Sequence, residues 1–246
     1  MWDDARQLNA VAAALALLAT AALLWGALAW AVRQPPFAFG EVIVRGPLER
    51  VSAAHLETVV REELTGTFFT MNLEQARSSL ARVPWVRSIA LRRQWPRSLE
   101  VTVEEHVPLA RWNDGALVDA QGDVFTADYD GELPQFEGPD GRAAEMLARF
   151  REWGGAIAPL AIKVEQIRLS PRGGWQLTAK GPASALVIEL GREEPAARLA
   201  RFVAVYPRTI GALAGAGTHI GHVDLRYRNG FAARVPGFRE RAPKKA

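Results

Sequence analysis

The chain has 246 residues, 49% hydrophobic and 23% charged, with 30 Lys plus Arg against 27 Asp plus Glu and a formal net charge of +3. That composition is globular and excludes a wholly disordered chain, which needs low hydrophobicity and high net charge. Cysteine is absent, which excludes a disulfide scaffold, a thiolate zinc site and a cysteine nucleophile. The arginine excess is spread along the chain, so it argues only weakly for nucleic acid.

No charged residue occurs from Leu8 to Val32, and Asn9 and Thr20 are the strongly polar interruptions. As a helix this run is roughly 37 Å long at about 1.5 Å per residue, enough for a bilayer core of about 30 Å. Trp25 and Trp30 lie towards one end and Trp2 near the other, where interfacial aromatics are expected. Ala27-Leu28-Ala29 and Ala29-Trp30-Ala31 have the shape of a signal-peptidase site, but a signal peptide's apolar region is only about 7–15 residues. An uncleaved anchor is therefore expected. Arg6 and the amino terminus face Arg33 across the span, so charge leaves the orientation open. A short tail ahead of a single span usually stays inside, which would export the rest.

Gln34-Pro35-Pro36 reads as a stiff linker. Residues 39–107 then read strand, helix, helix, strand, strand. The first strand is Phe39–Val44, broken by Arg45-Gly46-Pro47. Ser52 is placed to cap a helix carrying Leu56, Val59, Val60 and Leu64, which Gly66 ends. A second helix runs from a cap at Asn72 to about Arg82, with Gln75 placed as in a capping box. Val86–Arg93 alternates with a slip at Ser88-Ile89, and Gln94–Ser98 turns into Leu99–Glu105, which alternates more cleanly. The expected core is Val42, Val44, Leu56, Val59, Leu73, Leu80, Ile89, Leu91, Val101 and Val103. Pro84 and Trp85 are expected to set how the chain enters the strand at Val86. Trp95, Phe68 and Phe69 suit either packing or a partner contact. Arg87, Arg92, Arg93 and Arg97 suit either a solvated strand face or an anionic partner.

Beyond Pro108 the pattern is short strands: Leu109–Trp112, Ala116–Val118, Val124–Thr126, Val164–Ser170, Trp175–Lys180 and Leu186–Leu190. Asp119-Ala120-Gln121-Gly122 is a turn signal. Two helices interrupt, Arg142–Trp153 and Pro195–Tyr206, the latter with Leu199, Phe202 and Val203 inward. One long final strand, His222–Val235, containing Gly230 and lying at or near a sheet edge, is expected to close the domain. The fold class is thus α+β: one N-terminal transmembrane helix, a small βααββ domain, then a mostly antiparallel β domain with two helices. The expected boundaries are a tail over 1–7, the transmembrane helix over 8–32, domains over 37–107 and 108–236, and a basic, disordered tail over 237–246.

No catalytic constellation emerges. Gly211–Gly217 reads as a flexible loop and does not spell a dinucleotide fingerprint. None of the serines sits in a nucleophile elbow. Adjacent Glu104 and Glu105 face opposite ways on a strand and cannot share a substrate. His219-Ile220-Gly221-His222 reads as a turn into a strand; as a metal site it lacks an obvious third ligand, Asp224 being thin support. No cofactor and no metal are expected.

Val83-Pro84-Trp85-Val86, Arg93-Gln94-Trp95-Pro96-Arg97-Ser98-Leu99 and Glu105-His106-Val107-Pro108-Leu109-Ala110-Arg111-Trp112 resemble the FtsQ/DivIB bacterial cell-division family. Leu117–Phe125, Leu133–Pro139, Leu190-Gly191-Arg192 with Arg198–Phe202, and Val223–Tyr227 with Gly230 continue the resemblance in order, over roughly residues 8–236. The resemblance implies a single-pass inner-membrane protein of the division septum with a cytoplasmic tail. It also implies a periplasmic POTRA domain and a β domain that binds division partners. Those partners are FtsB and FtsL, bound by strand addition, and through them the septal peptidoglycan synthase pair FtsW and FtsI. Carried over by position, Tyr227, Asn229 and Gly230 are contact residues, with Arg226 beside them and Arg172 on a neighbouring surface. Val235 stands where the best-known relatives have tryptophan, and Phe231 or Phe238 is placed to compensate. Two readings from other classes stand beside the scaffold. A membrane-anchored periplasmic enzyme acting on cell-wall glycan would need two carboxylates facing one cleft. A POTRA-bearing outer-membrane assembly module would carry a barrel or several repeats.

Overall fold

The structure, a computed structural model, describes residues 5–38, 40–51, 53–63, 67–181, 185–215 and 220–235. The expected caps and stops at Ser52 and Gly66, with Trp2, Phe39, His219, Phe238 and the basic tail, lie outside them. The chain divides into two compact units, residues 1–106 and 107–246.

The first unit begins with α1, Ala5–Ala31. Its apolar side chains point outward on every side, with Leu15, Leu17, Leu23 and Trp25 all well exposed. A helix apolar all round and exposed along nearly all its length among the described residues fits a single-pass membrane anchor. The folded part comprises β1 (Glu41–Arg45), α2 (Ala53–Glu63), α3 (Leu73–Leu80), β2 (Val86–Gln94) and β3 (Ser98–Glu105). The sheet order is β1-β3-β2, with β1 parallel and β2 antiparallel to the central β3. Alternation in β3 buries Leu99, Val101 and Val103 completely, beneath Leu56 and Val60 of α2 and Leu80 of α3. Val42, Val44, Val59, Leu73 and Leu91 complete this core from partly buried positions.

The local signals act as their chemistry dictates. Asn72 Oδ1 accepts from the amides of Glu74 and Gln75, satisfying two donors at the start of α3. The slip in β2 is a register shift in which Val86 pairs with Glu105 and Ser88 with Glu104. Trp85 turns the chain into β2 at φ +72°, uncommon for a bulky residue. Its carbonyl accepts from the His106 amide, and the Arg50 guanidinium lies 4.7 Å over its ring. Three of the four clustered arginines brace their own domain: Arg87 pairs with Glu104, Arg93 donates to the Met71 carbonyl and Arg97 to that of Ala38. The buried Glu105 carboxylate accepts from the amides of Glu49, Arg50 and Val51, tying the end of β3 to the segment before α2.

The second unit has β4 (Pro108–Trp112), β5 (Ala116–Asp119), β6 (Val124–Phe125), β7 (Gln135–Glu137), α4 (Ala143–Ile157), β8 (Lys163–Leu169), β9 (Trp175–Lys180), β10 (Ala185–Gly191), α5 (Pro195–Val205), α6 (Ile210–Gly215), β11 (His222–Asp224) and β12 (Ala232–Arg234). They form one sheet in the order β12-β11-β10-β9-β8-β7-β4-β5-β6. Five of its eight pairings are antiparallel; β4–β7, β7–β8 and β10–β11 are parallel. Parallel neighbours need a crossover. α4 is the crossover from β7 to β8, and α5 with α6 that from β10 to β11. α4 buries Met146, Leu147, Trp153 and Ile157, and α5 buries Leu199 and Phe202. Asp119 Oδ1 accepts from the amides of Gln121 and Asp123, which closes the β5–β6 turn.

Two expectations for this unit are corrected, and one strand appears where none is expected. The glycine-rich loop is a short helix, α6, over its described part: Ile210 is buried, and the Leu213 amide donates to the Thr209 carbonyl. Gln135–Glu137 forms β7, a strand too short to show alternation, held between β4 and β8. The single long strand His222–Val235 is two three-residue strands, β11 and β12, folded back on each other. The Arg226 amide donates to Asp224 Oδ1 and begins the reversal, and the turn dipeptide Asn229-Gly230 lies within it.

Replacing Leu80, wholly buried, by Ala is expected to destabilise the protein by about 2–5 kcal/mol in denaturant unfolding of the first folded unit. Glu105→Ala, which orphans three backbone donors, is expected to cost about 2 kcal/mol or more in the same measurement.

Candidate protein interface

The last strands of the second unit make a sheet edge. β11 pairs with β10 through Val187–His222, Ile188–Val223 and Glu189–Asp224, and the Leu225 amide continues the ladder to the Glu189 carbonyl. β12 pairs on its inner side with β11 and, among the described residues, has no strand on its outer side. It offers an alternating, small surface: Ala232 and Arg234 are exposed and Ala233 half-buried. An edge of this kind leaves N–H and C=O groups available to another chain.

Tyr227, Asn229 and Gly230 lie in the loop joining β11 to β12 and not on a strand. All three are exposed, Tyr227 at 56%. The loop is pinned at both ends. At its start Arg226 donates from Nε to both Asp224 carboxylate oxygens, at 2.9 and 3.1 Å, and from Nη2 to Oδ2 at 2.7 Å. Those hydrogen bonds hold the Asp224 carboxyl below the usual carboxylate range; partial burial works the other way, and the charges of Arg226 and His222 add to the lowering. At its far end the Phe231 ring packs edge-to-face on Phe202 of α5, 5.6 Å between centroids. Phe231 and Val235 are both partly buried against the domain's core, so both anchor the edge from beneath.

Two motifs far apart in sequence meet at the same end of the sheet. Gly191 closes β10 at φ +76°, and a Cβ there would lie 2.8 Å from Arg198 Nη1 and 2.9 Å from Arg226 Cγ. Glycine is required by both conformation and space. Arg198 Nη1 in turn donates to the Leu190 carbonyl at 2.8 Å. Arg172 is exposed in the turn between β8 and β9, and a Cβ on neighbouring Gly173 would lie 3.3 Å from the Arg192 side chain. The β8–β9 turn, the end of β10 and the Arg226 turn therefore share one end of the sheet, rich in guanidinium groups. Beside it, between α5 and the 225–231 loop, runs a groove of about 440 Å³ lined by Arg198, Phe202, Val205, Asn229, Gly230 and Phe231 among others. Arg198 stands in one of the motifs of the resemblance but without a role; Val205 and this groove escape the motif-based reading, since the helical spacing of α5 marks Val205 only as a solvent-side position.

No group of three His, Asp or Glu among the described residues is placed to hold a metal ion. His222 lies 3.9 Å from Glu189, which accepts from Gln176.

The described chain is thus an apolar helix that fits a membrane anchor, a βααββ domain and a mostly antiparallel β domain whose last described strand is an edge. Family models match both folded parts: the FtsQ-type POTRA domain over residues 37–106 and the C-terminal domain of cell division protein FtsQ/DivIB over 110–226. Cell division protein FtsQ of Burkholderia pseudomallei is 38% identical over 97% of this chain and 96% of its own length. Its namesake in Nitrosospira multiformis is 38% identical over 95% and 99%, and that in Bordetella pertussis 35% identical over 94% and 92%. The chain belongs to the FtsQ/DivIB family of bacterial cell-division proteins.

The Asp224–Arg226 pair makes the loop pH-sensitive in one direction. A carboxyl whose folded pKa is depressed contributes stability above its unfolded pKa, about 4, and loses it as pH falls through the folded value. Asp224→Asn is expected to lower the melting temperature at about pH 7, with the difference from the parent protein shrinking towards about pH 3. A carbon-detected NMR titration of Asp224 should place its midpoint below that of an ordinary aspartate.

Proposed function

We propose that the chain is a non-enzymatic scaffold of the division machinery: α1 anchors it in the inner membrane, its folded units lie in the periplasm at the septum, and its last sheet edge holds FtsB and, with it, FtsL. Through them it helps to regulate septal peptidoglycan synthesis by FtsW and FtsI and the assembly of the complex. The observation that carries this reading is the outer side of β12, on which no described strand lies, beside the exposed, pinned loop of Tyr227.

The chemistry of that edge supports strand addition. A partner segment laid along Ala232–Arg234 takes affinity from main-chain bonds and meets only small or flexible side chains on the way in. Tyr227 supplies rigid area with a polar tip, in a loop that Asp224 and Arg226 hold in place before binding. Gly230 and Asn229 give the partner backbone room, and Arg172 and Arg226 favour an acidic segment. Val235 and Phe231 act indirectly, by seating the edge on Phe202 and the core.

Tyr227→Ala in the purified full-length protein is expected to weaken FtsB binding by about 2 kcal/mol or more, roughly thirtyfold in Kd, with the melting temperature unchanged. Binding retained by the folded variant would overturn the site. Alkaline phosphatase fused after Ala246 is expected to be active in cells; an inactive fusion, or a mature protein beginning near Trp30, would overturn the topology.

A further inference from the structure

The residues that leave α1 are gripped from two sides by the first folded domain. The buried Thr67 hydroxyl donates to the Val32 carbonyl at 2.7 Å, one residue beyond the helix, and the Phe68 amide donates to the Phe37 carbonyl at 2.8 Å. Arg97 Nε donates to the Ala38 carbonyl and the Gly40 amide to the Arg97 carbonyl, each at 2.9 Å. The 67–71 turn and the tip of the β2–β3 hairpin are thereby both held against the exit of the anchor.

These two loops and the exit segment carry an aromatic group that is in neither hydrophobic core of the described residues. Phe37 and Phe69 stack edge-to-face at 5.4 Å, Phe68 and Phe69 at 5.2 Å, and Phe68 and Trp95 at 6.1 Å. Phe69 is 50% and Trp95 71% exposed. Trp25 and Trp30 are exposed near the end of α1. Segments 32–40, 67–72 and 94–98 contain Arg33 and Arg97 and no acidic residue.

We propose that this aromatic group is a lipid contact: it seats the POTRA domain on the surface of the bilayer that α1 crosses, with Phe69 and Trp95 at the headgroup boundary and Arg33 and Arg97 towards lipid phosphates. The occupant follows from continuity with the anchor. α1 is about 40 Å long at about 1.5 Å per residue, against a hydrocarbon core of about 30 Å, so its last turn already lies among headgroups. Residues hydrogen-bonded to Val32 and Ala38 share that level. Aromatic rings with guanidinium groups and no carboxylates suit it chemically.

The chain has no cysteine, so a single introduced one labels one place. Phe69→Cys, Trp95→Cys and Glu49→Cys variants of the full chain would each carry an environment-sensitive fluorophore in phosphatidylethanolamine–phosphatidylglycerol vesicles doped with shallow spin-labelled lipid. Glu49 is exposed, and its amide bonds to Glu105, about 23 Å along β3 from Ser98 at about 3.3 Å per residue. The expected result is blue-shifted emission lost to the lipid quencher at positions 69 and 95, and unquenched emission at 49. Equal, unquenched emission at all three positions would overturn the proposal. So would a blue shift at 69 and 95 that resists the lipid quencher and grows with protein density, the mark of a protein occupant. Trp95 is exposed enough that its label reports on a folded domain even if Phe69→Cys does not fold, and thermal unfolding of each variant checks this.

Discussion

Two parallel strands cannot be joined by a tight turn, and the second unit is arranged around that constraint. After β10 the chain must cross the sheet before it can lay a parallel neighbour beside it. α5 makes the crossing, held down by Leu199 and Phe202, and α6 with buried Ile210 completes the return. β11 then lands on β10, and the reversal after it leaves β12 outermost. The open edge is thus the end product of a crossover packed on the buried face of Leu186, Ile188 and Leu190.

What keeps that edge in one shape is a set of short-range polar contacts on an apolar support. Gly191 lets Arg226 and Arg198 pass close to the end of β10. Arg198 takes the Leu190 carbonyl, Asp224 takes Arg226, and Phe231 rests on Phe202. The Asp224–Arg226 salt bridge joins a partly buried carboxylate to an exposed guanidinium. It also acts locally: it lowers the freedom of the seven-residue loop 225–231, whose tyrosine would otherwise have to be ordered on binding.

The first unit solves a different problem, which is to build a core from a small βααββ domain attached to an apolar helix. Its central strand is buried by alternation, and the buried Glu105 carboxylate is offset by three backbone donors. The same domain leaves large aromatic rings uncovered next to the anchor, where a water-facing surface would ordinarily be polar. The lipid contact proposed above would cover them.

Much of this was legible in the residues themselves, and the reasons are local. The uncharged run of 8–32, the alternation of Leu99–Glu105, the Asn72 cap and the faces of α4 and α5 are periodic or stereochemical signals complete within a few turns of chain. Such signals also sufficed for the family resemblance, whose motifs are short strings in a specific order. Other features had no local signal. β7 is too short for periodicity and exists because β4 and β8 flank it. The run His222–Val235 has strand-forming residues at both ends, but whether it is one strand or two depended on the Asp224–Arg226 contact and on Phe202 lying beneath Phe231. Gly191 and Arg226 are 35 positions apart, and no spacing rule brings them together. Apolar periodicity marked the long helices, most of the strands and the core of the first folded domain, because burial follows apolar pattern. Which described strand is outermost, and how its loop is held, had no such signal, because both depend on contacts between residues that meet only after the chain has crossed the sheet.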